Sequence, residues 1–396
     1  MTLLPLKPDL CHTPQEFDSA RAAHGLSFKP YGPAYQAPAL TTAERQEALT
    51  LLHSPFTNSW LADYYRRQNT SDIRIGILEA RDVRVTDDWG LVLPNDGSFL
   101  INSISGFGWT HDQFEYLAEM GHISRTADTN YALDIHAHDS VTLQGTAALL
   151  SFPGAYTYGH WITDMCARLE LLAANHDVAA IDHFLLPKHA KWMDPFLAAY
   201  GVPRDRIVEL DKSHIFEVCH LLMPTTLSQH HKGTLPVTFA RQMFRRLSAI
   251  SYGWGHLRRW QKTPPAAELV YLKHTALTSA PGREIANEEA LIAAVEDMGG
   301  KVLDPLKLAL PALLNRLREA KLVVGLDSSA LHNLAMAPTN LMVMQTEPRF
   351  NMLHPSIQET IGKQVAFIKS DEDTRGRWIV HPRRLQSHIE EALDNA

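Results

Sequence analysis

Residues 268–347 alternate short, nearly continuous apolar runs with amphipathic stretches, and this rhythm restricts the fold more than any single motif. ELVYLKH (268–274), KVLDP (301–305), KLVVGLD (321–327) and NLMVMQTE (340–347) have the length and apolar continuity of strands buried on both faces. Asn287 can cap a helix whose first turn carries Glu288 and Glu289. Its stripe of Leu291, Ile292, Val295 and Met298 stops at Gly299-Gly300. Residues 310–320 read as a second helix and 328–337 as a short third. Strands that alternate with helices must be joined by crossovers, so the stretch predicts a parallel, doubly wound sheet.

A looser version of the rhythm precedes it. DHFLLP (182–187), RIVEL (206–210) and EVCHLLMP (217–224) read as strands. A helix over 188–200 is ended by Gly201 and Pro203, and one over 236–250 starts on Pro236. Residues 72–149 carry β-branched alternation with turn signals, which predicts hairpins. The expected organisation is an N-terminal extension with short helices near 42–53 and 60–67 (1–71), then a β-rich subdomain (72–150). A first Rossmann-like domain (151–262) and a second (263–370) follow, with Pro264-Pro265 as the linker. A loop and helix close the chain (371–396).

Composition excludes some functions. A chain of 396 residues is too long for one core. The net charge of -7 argues against a dedicated nucleic-acid binder, and Arg245-Arg246, Arg258-Arg259 and Arg383-Arg384 read as solvated helix faces. Three scattered cysteines fit a reducing compartment. The N-terminus lacks the apolar core of a signal peptide, and no run reaches the roughly 18–20 apolar residues of a membrane span. The expectation is a cytoplasmic protein, with contact at the inner membrane face compatible. His136 and His138 would share one strand face and offer a metal-hydrolase alternative without an evident third ligand. His230-His231 is weaker still.

Within YTYGHWITDMCARLELLAA (156–174), His160, Asp164 and Arg168 recur every four residues and would line one helix face. Spacing alone favours a solvated face with an Asp164–Arg168 ion pair. The second half suggests otherwise. Ligands of open parallel sheets bind beyond the carboxyl ends of the strands. There the chain places Lys273, His274 and Arg283 after the first strand, and Asp327, Ser328 and Ser329 after the third. Thr346 and Glu347 follow the fourth. Cations and helix-start amides suit a diphosphate, and a carboxylate suits ribose hydroxyls. No G-x-G-x-x-G, Walker or G-x-S-x-G motif is present, and Asp371-Glu372-Asp373 reads as a solvated loop, not a metal–nucleotide pair.

Three stretches, in this order, resemble glycosyltransferase family 61 in its bacterial capsule-biosynthesis-like branch: YTYGHWITDMCARLELL, GREIANEEALIAAVEDMGGKVLDP and AKLVVGLDSSALHNLAMAP. The likeness spans roughly residues 70–350. It implies a GT-B architecture, two Rossmann-like domains facing across a cleft. It also implies transfer of a sugar from a nucleotide-sugar donor, as co-substrate, to a glycan or lipid-linked glycan acceptor, with no metal and no other cofactor. Arg283, Asn287 and Glu288 match one motif, and Leu331 and Asn333 another. The implied donor site comprises Lys273, His274, Arg283, Asn287, Ser328, Ser329, His332, Asn333 and Glu347, with His332 or Glu347 on the nucleoside. Asp164 then becomes the first choice of base, with His160 as its orienter or the reverse, and Arg168 stays a surface partner of Asp164. Two departures stand out. Lys273-His274 replaces the family's Ser–Arg, and Asp327-Ser328-Ser329 replaces its His–Gly–Ala/Ser turn, where an inward-pointing Asp327 would repel a phosphate. A non-catalytic scaffold that binds nucleotide or glycan is the alternative.

Overall fold

The computed structural model describes residues 3–6, 14–31, 75–95, 118–121, 123–126, 131–134, 139–152, 154–225, 237–251, 267–274, 284–346 and 353–394. The chain divides into two compact units, 1–37 with 71–229, and 38–70 with 230–396. The expected helices at 42–53 and 60–67, the Pro264-Pro265 linker and the His136/His138 and His230-His231 pairs lie outside the described residues.

The first unit is built on a mixed sheet of β1 (Ser27–Pro30), β2 (Gly76–Thr86), β3 (Leu91–Pro94), β4 (Asp139–Leu149), β5 (His183–Leu186), β6 (Ile207–Glu209) and β7 (His214–Pro224). Its order is β1-β2-β7-β4-β5-β6, with β3 on β2. β7, β4, β5 and β6 are mutually parallel, and β1, β2 and β3 run antiparallel. Strands from both 72–150 and 151–262 therefore hydrogen-bond in one sheet.

Two strands, β2 and β4 on either side of β7, are irregular at one level. Asp82 of β2 and Gly145 of β4 have positive φ, at 51° and 82°. Between Val218 and His220 the β7–β4 register shifts, because an extra β4 residue is accommodated. The core on this sheet includes Val85, Val92, Leu149, Phe216 and Met223. The β2–β3 turn reaches the carboxyl end of β4: a Cβ on Gly90 would lie 2.7 Å from Leu149 Cδ1, and Ser151 Oγ donates to Asp88 O.

The second unit holds a wholly parallel sheet of β8 (Leu269–Leu272), β9 (Lys301–Leu303), β10 (Leu322–Leu326), β11 (Asn340–Gln345) and β12 (Val365–Lys369), ordered β9-β8-β10-β11-β12. This is the doubly wound sheet expected, with its switch point between β8 and β10. The helix Glu288–Asp297 ends as a Schellman turn, Gly300 N–H donating to Val295 O at 2.9 Å. Gly300 is required there, because a Cβ would meet Val295 Cγ1 at 2.5 Å. This helix and Pro382–Asp394 cover one sheet face through Leu291, Val295, Leu385 and Ile389. The helix Val237–Ser248, expected with the preceding domain, packs instead on Leu353–Ile361 of this unit. No helix among the described residues is long and apolar enough to cross a membrane.

Candidate active site

The segment after β4 is not one regular helix. An α turn at Tyr158–His160 passes into a π-helix at Trp161–Met165 and then into the α-helix Cys166–Asn175. A π turn is wider than an α turn, so residues four apart come closer to eclipsing one another. His160 Nδ1 lies 3.0 Å from Asp164 Oδ2. Thr163 Oγ1 donates to the same oxygen at 3.1 Å and also lies 3.2 Å from Gly159 O. The buried Trp161 pins the turn: its Nε1–H donates to Ala155 O, and its ring meets Trp192 edge-on at 5.3 Å.

Asp164 is fully buried, whereas the His160 side chain keeps 24% of its surface. The imidazole is therefore the member of the pair that solvent reaches. Gly154, at φ 95°, lets the preceding loop lie against the ring, since a Cβ there would sit 3.1 Å from His160 Cε1. Phe152 borders the imidazole with centroids 6.0 Å apart.

Arg168 corrects the surface reading. It is fully buried, and its Nη1 donates to the carbonyls of Ser151 (2.9 Å) and Leu150 (3.2 Å). Its guanidinium carbon lies 4.9 Å from the Phe152 centroid. Burial pulls its pKa down to about 9, against the opposing pull of Asp164. Arg168 thus ties down the end of β4 and the loop that flanks His160. A charge taken out of water is tolerated only with such partners. The sequence reading also missed Tyr156, whose hydroxyl donates to Asp88 Oδ2 at 3.0 Å. Burial and the Asp88 carboxylate raise it to about 12. A Pro-Gly pair (153–154) between a strand and a helix was the available signal for the loop.

In the second unit, Lys273, His274, Asp327, Ser328 and Ser329 follow the carboxyl ends of β8 and β10, the two strands at the switch point. Lys273 is part-exposed, with Nζ 4.0 Å from Glu289. His274 N–H donates to Glu288 Oε1 at 2.9 Å, and Tyr271 OH approaches the same oxygen at 3.3 Å. Ser329–Ala335 forms a 3-10 helix, where the sequence suggested an ordinary short helix. Asn287 makes no side-chain cap. Its carboxamide clamps Val380, donating to the carbonyl at 2.7 Å. His332 and Asn333 are buried, and Asn333 Nδ2 donates to Ala330 O at 2.8 Å. Arg283 and Glu347 lie outside the described residues. Asp327 accepts from His354 Nε2 at 2.8 Å, a partner the sequence did not reveal.

The family model described as Glycosyltransferase 61 matches residues 158–344. The chain carries a glycosyltransferase 61 domain. The matched stretch opens on the turn that bears His160 and closes inside β11, so it takes in both the His160–Asp164 pair and the switch-point strands. No curated protein matches the chain. A glycosyltransferase domain implies a sugar donor and an acceptor, and its mixed and parallel sheets agree with a Rossmann-like fold.

Proposed function

We propose that this glycosyltransferase moves a sugar from a nucleotide-sugar donor to a glycan or lipid-linked glycan acceptor during assembly of a capsular or other exported polysaccharide. The observation that carries the catalytic part is the 3.0 Å contact between a partly exposed His160 and a buried Asp164.

In this reading His160 is the general base and Asp164 its orienting partner. The carboxylate holds Nδ1, so the proton of the acceptor hydroxyl passes to Nε2. The hydroxyl oxygen attacks the anomeric carbon while the bond to the diphosphate breaks. The diphosphate leaves with the electron pair, and the sugar is inverted. The buried carboxylate stabilises the imidazolium that forms. Lys273 and Arg283, with amides near Ser328 and Ser329, neutralise the leaving group without a metal, in the two-domain GT-B arrangement. The Asp327–His354 contact supports the donor side, because it gives the carboxylate a hydrogen-bond partner within the protein.

The test is a transfer assay with a panel of nucleotide sugars, paired with calorimetry. Asp164→Asn and His160→Gln are each expected to cut turnover about 10²–10⁴-fold. Both should leave the affinity for the nucleoside diphosphate within twofold. Full activity in both variants would refute the assignment. Nucleotide binding without any transfer by the unaltered protein would favour the scaffold alternative.

A further inference from the structure

Charge is distributed unevenly along this acidic chain. Between Glu217 and Glu268 lie seven of its 37 Lys and Arg and none of its 44 Asp and Glu. Tyr252, Trp254 and Trp260 fall in the same stretch. The structure gives part of this stretch a surface. On the helix Val237–Ser248, Phe239, Ala240, Met243, Phe244 and Leu247 are buried, and Arg241, Arg245 and Arg246 are exposed.

Arg241 and Arg245 border a cleft of about 330 Å³, together with Phe244, Pro338, Ile361 and Gly362. Among the described residues that line it, none carries a carboxylate. Arg241 Nε donates to Thr360 O at 3.2 Å, which fixes one guanidinium at the rim. Lys363 is exposed directly beyond Gly362. Pro338 and Gly362 immediately precede β11 and β12, so the cleft lies at the amino edge of the sheet, the edge opposite Lys273 and Ser328.

We propose that this arginine face docks the protein on an anionic phospholipid surface. Exposed arginines on a helix that itself carries no acid, in a chain whose net charge is negative, are attracted to a polyanionic plane even though the whole molecule is not. The apolar floor beneath the arginines suits the boundary between headgroup and acyl chain better than it suits a fully hydrated anion. Guanidinium groups also bind phosphate oxygens two at a time. This inference does not depend on the donor or acceptor assigned above.

The experiment sediments the full-length protein with phosphatidylcholine vesicles, with and without phosphatidylglycerol. Binding is expected only to the vesicles that contain phosphatidylglycerol, and it should fall steeply as salt is raised. Arg245→Gln and Arg246→Gln should each weaken it about fivefold. Arg383→Gln, on the opposite sheet face, should leave it unchanged. Thermal melts check that the variants remain folded. Equal binding to neutral vesicles, no binding to either kind, or an equal loss in the Arg383 variant would overturn the proposal. So would salt-sensitive capture of a single-stranded RNA by protein that ignores the vesicles.

Discussion

Arg168 shows how a charged side chain can shape a site from beneath. Its Nη1 holds the carbonyls of Leu150 and Ser151, and those residues begin the loop that carries Phe152 and Gly154 to the imidazole. Arg168→Met would fill much of the volume but leave both carbonyls unpaired. The expected cost is about 3–5 kcal/mol in urea-induced unfolding. Arg168→Lys should recover little of it, because the shorter side chain does not carry its ammonium to the position of Nη1. Recovery to the stability of the unaltered protein would assign Arg168 a purely electrostatic role. Its neighbour Cys166 is also fully buried. Burial, then the Glu170 and Asp164 charges, push its thiol well above the usual range. The folded state thus holds this proton at pH values where the unfolded chain has lost it. This residue's contribution to stability is complete below the ordinary thiol pKa and declines as pH rises above it. At pH 8 a thiol reagent should modify the part-exposed Cys219 in the native protein and reach Cys166 only on unfolding.

The loop and the π turn act as one device. Gly154 combines a positive φ with a 3.1 Å approach to the His160 ring, so a side chain there is both strained and obstructive. Gly154→Ala is expected to cost about 1–2 kcal/mol and to displace the imidazole from Asp164. Turnover should then fall more than donor affinity does. An unchanged ratio of kcat to that affinity would mean that the ring adjusts. These elements also mark where sequence reading succeeded and failed. The strands of the second unit were legible because parallel strands buried on both faces leave unbroken apolar runs such as LVVGL. The His160–Asp164 neighbourhood was legible because four-residue spacing survives in a π turn. Arg168 was misread because an i+8 position assumes a uniform α period, and nothing local announces that two backbone carbonyls wait there. The sheet that joins 76–86 and 139–149 to 214–224 was illegible for another reason. Its register depends on pairings more than 60 residues apart and on irregularities at Asp82 and Gly145 whose alignment exists only in three dimensions.

Taken whole, the chain keeps its two sets of chemical groups in separate units, each on its own sheet: His160 and Asp164 beyond β4, and Lys273 and Asp327–Ser329 beyond β8 and β10. The proposed function gives these sets different ligands, and that division can be measured without any transfer. A nucleoside diphosphate that binds only the folded state stabilises it by mass action, by about 2.7 kcal/mol at a hundredfold excess over Kd. The stabilisation should be local. In hydrogen exchange, amides at 272–274 and 326–330 should slow most on adding nucleotide, because those backbone segments meet the phosphates. Amides of β4 and of the turn at 158–165 should change less. Protection concentrated around 150–165 would move the donor onto the first unit and leave Lys273 without the role assigned to it. Protection at the switch point that persists in Asp164→Asn, together with lost turnover, would separate binding from catalysis along the boundary between the two units.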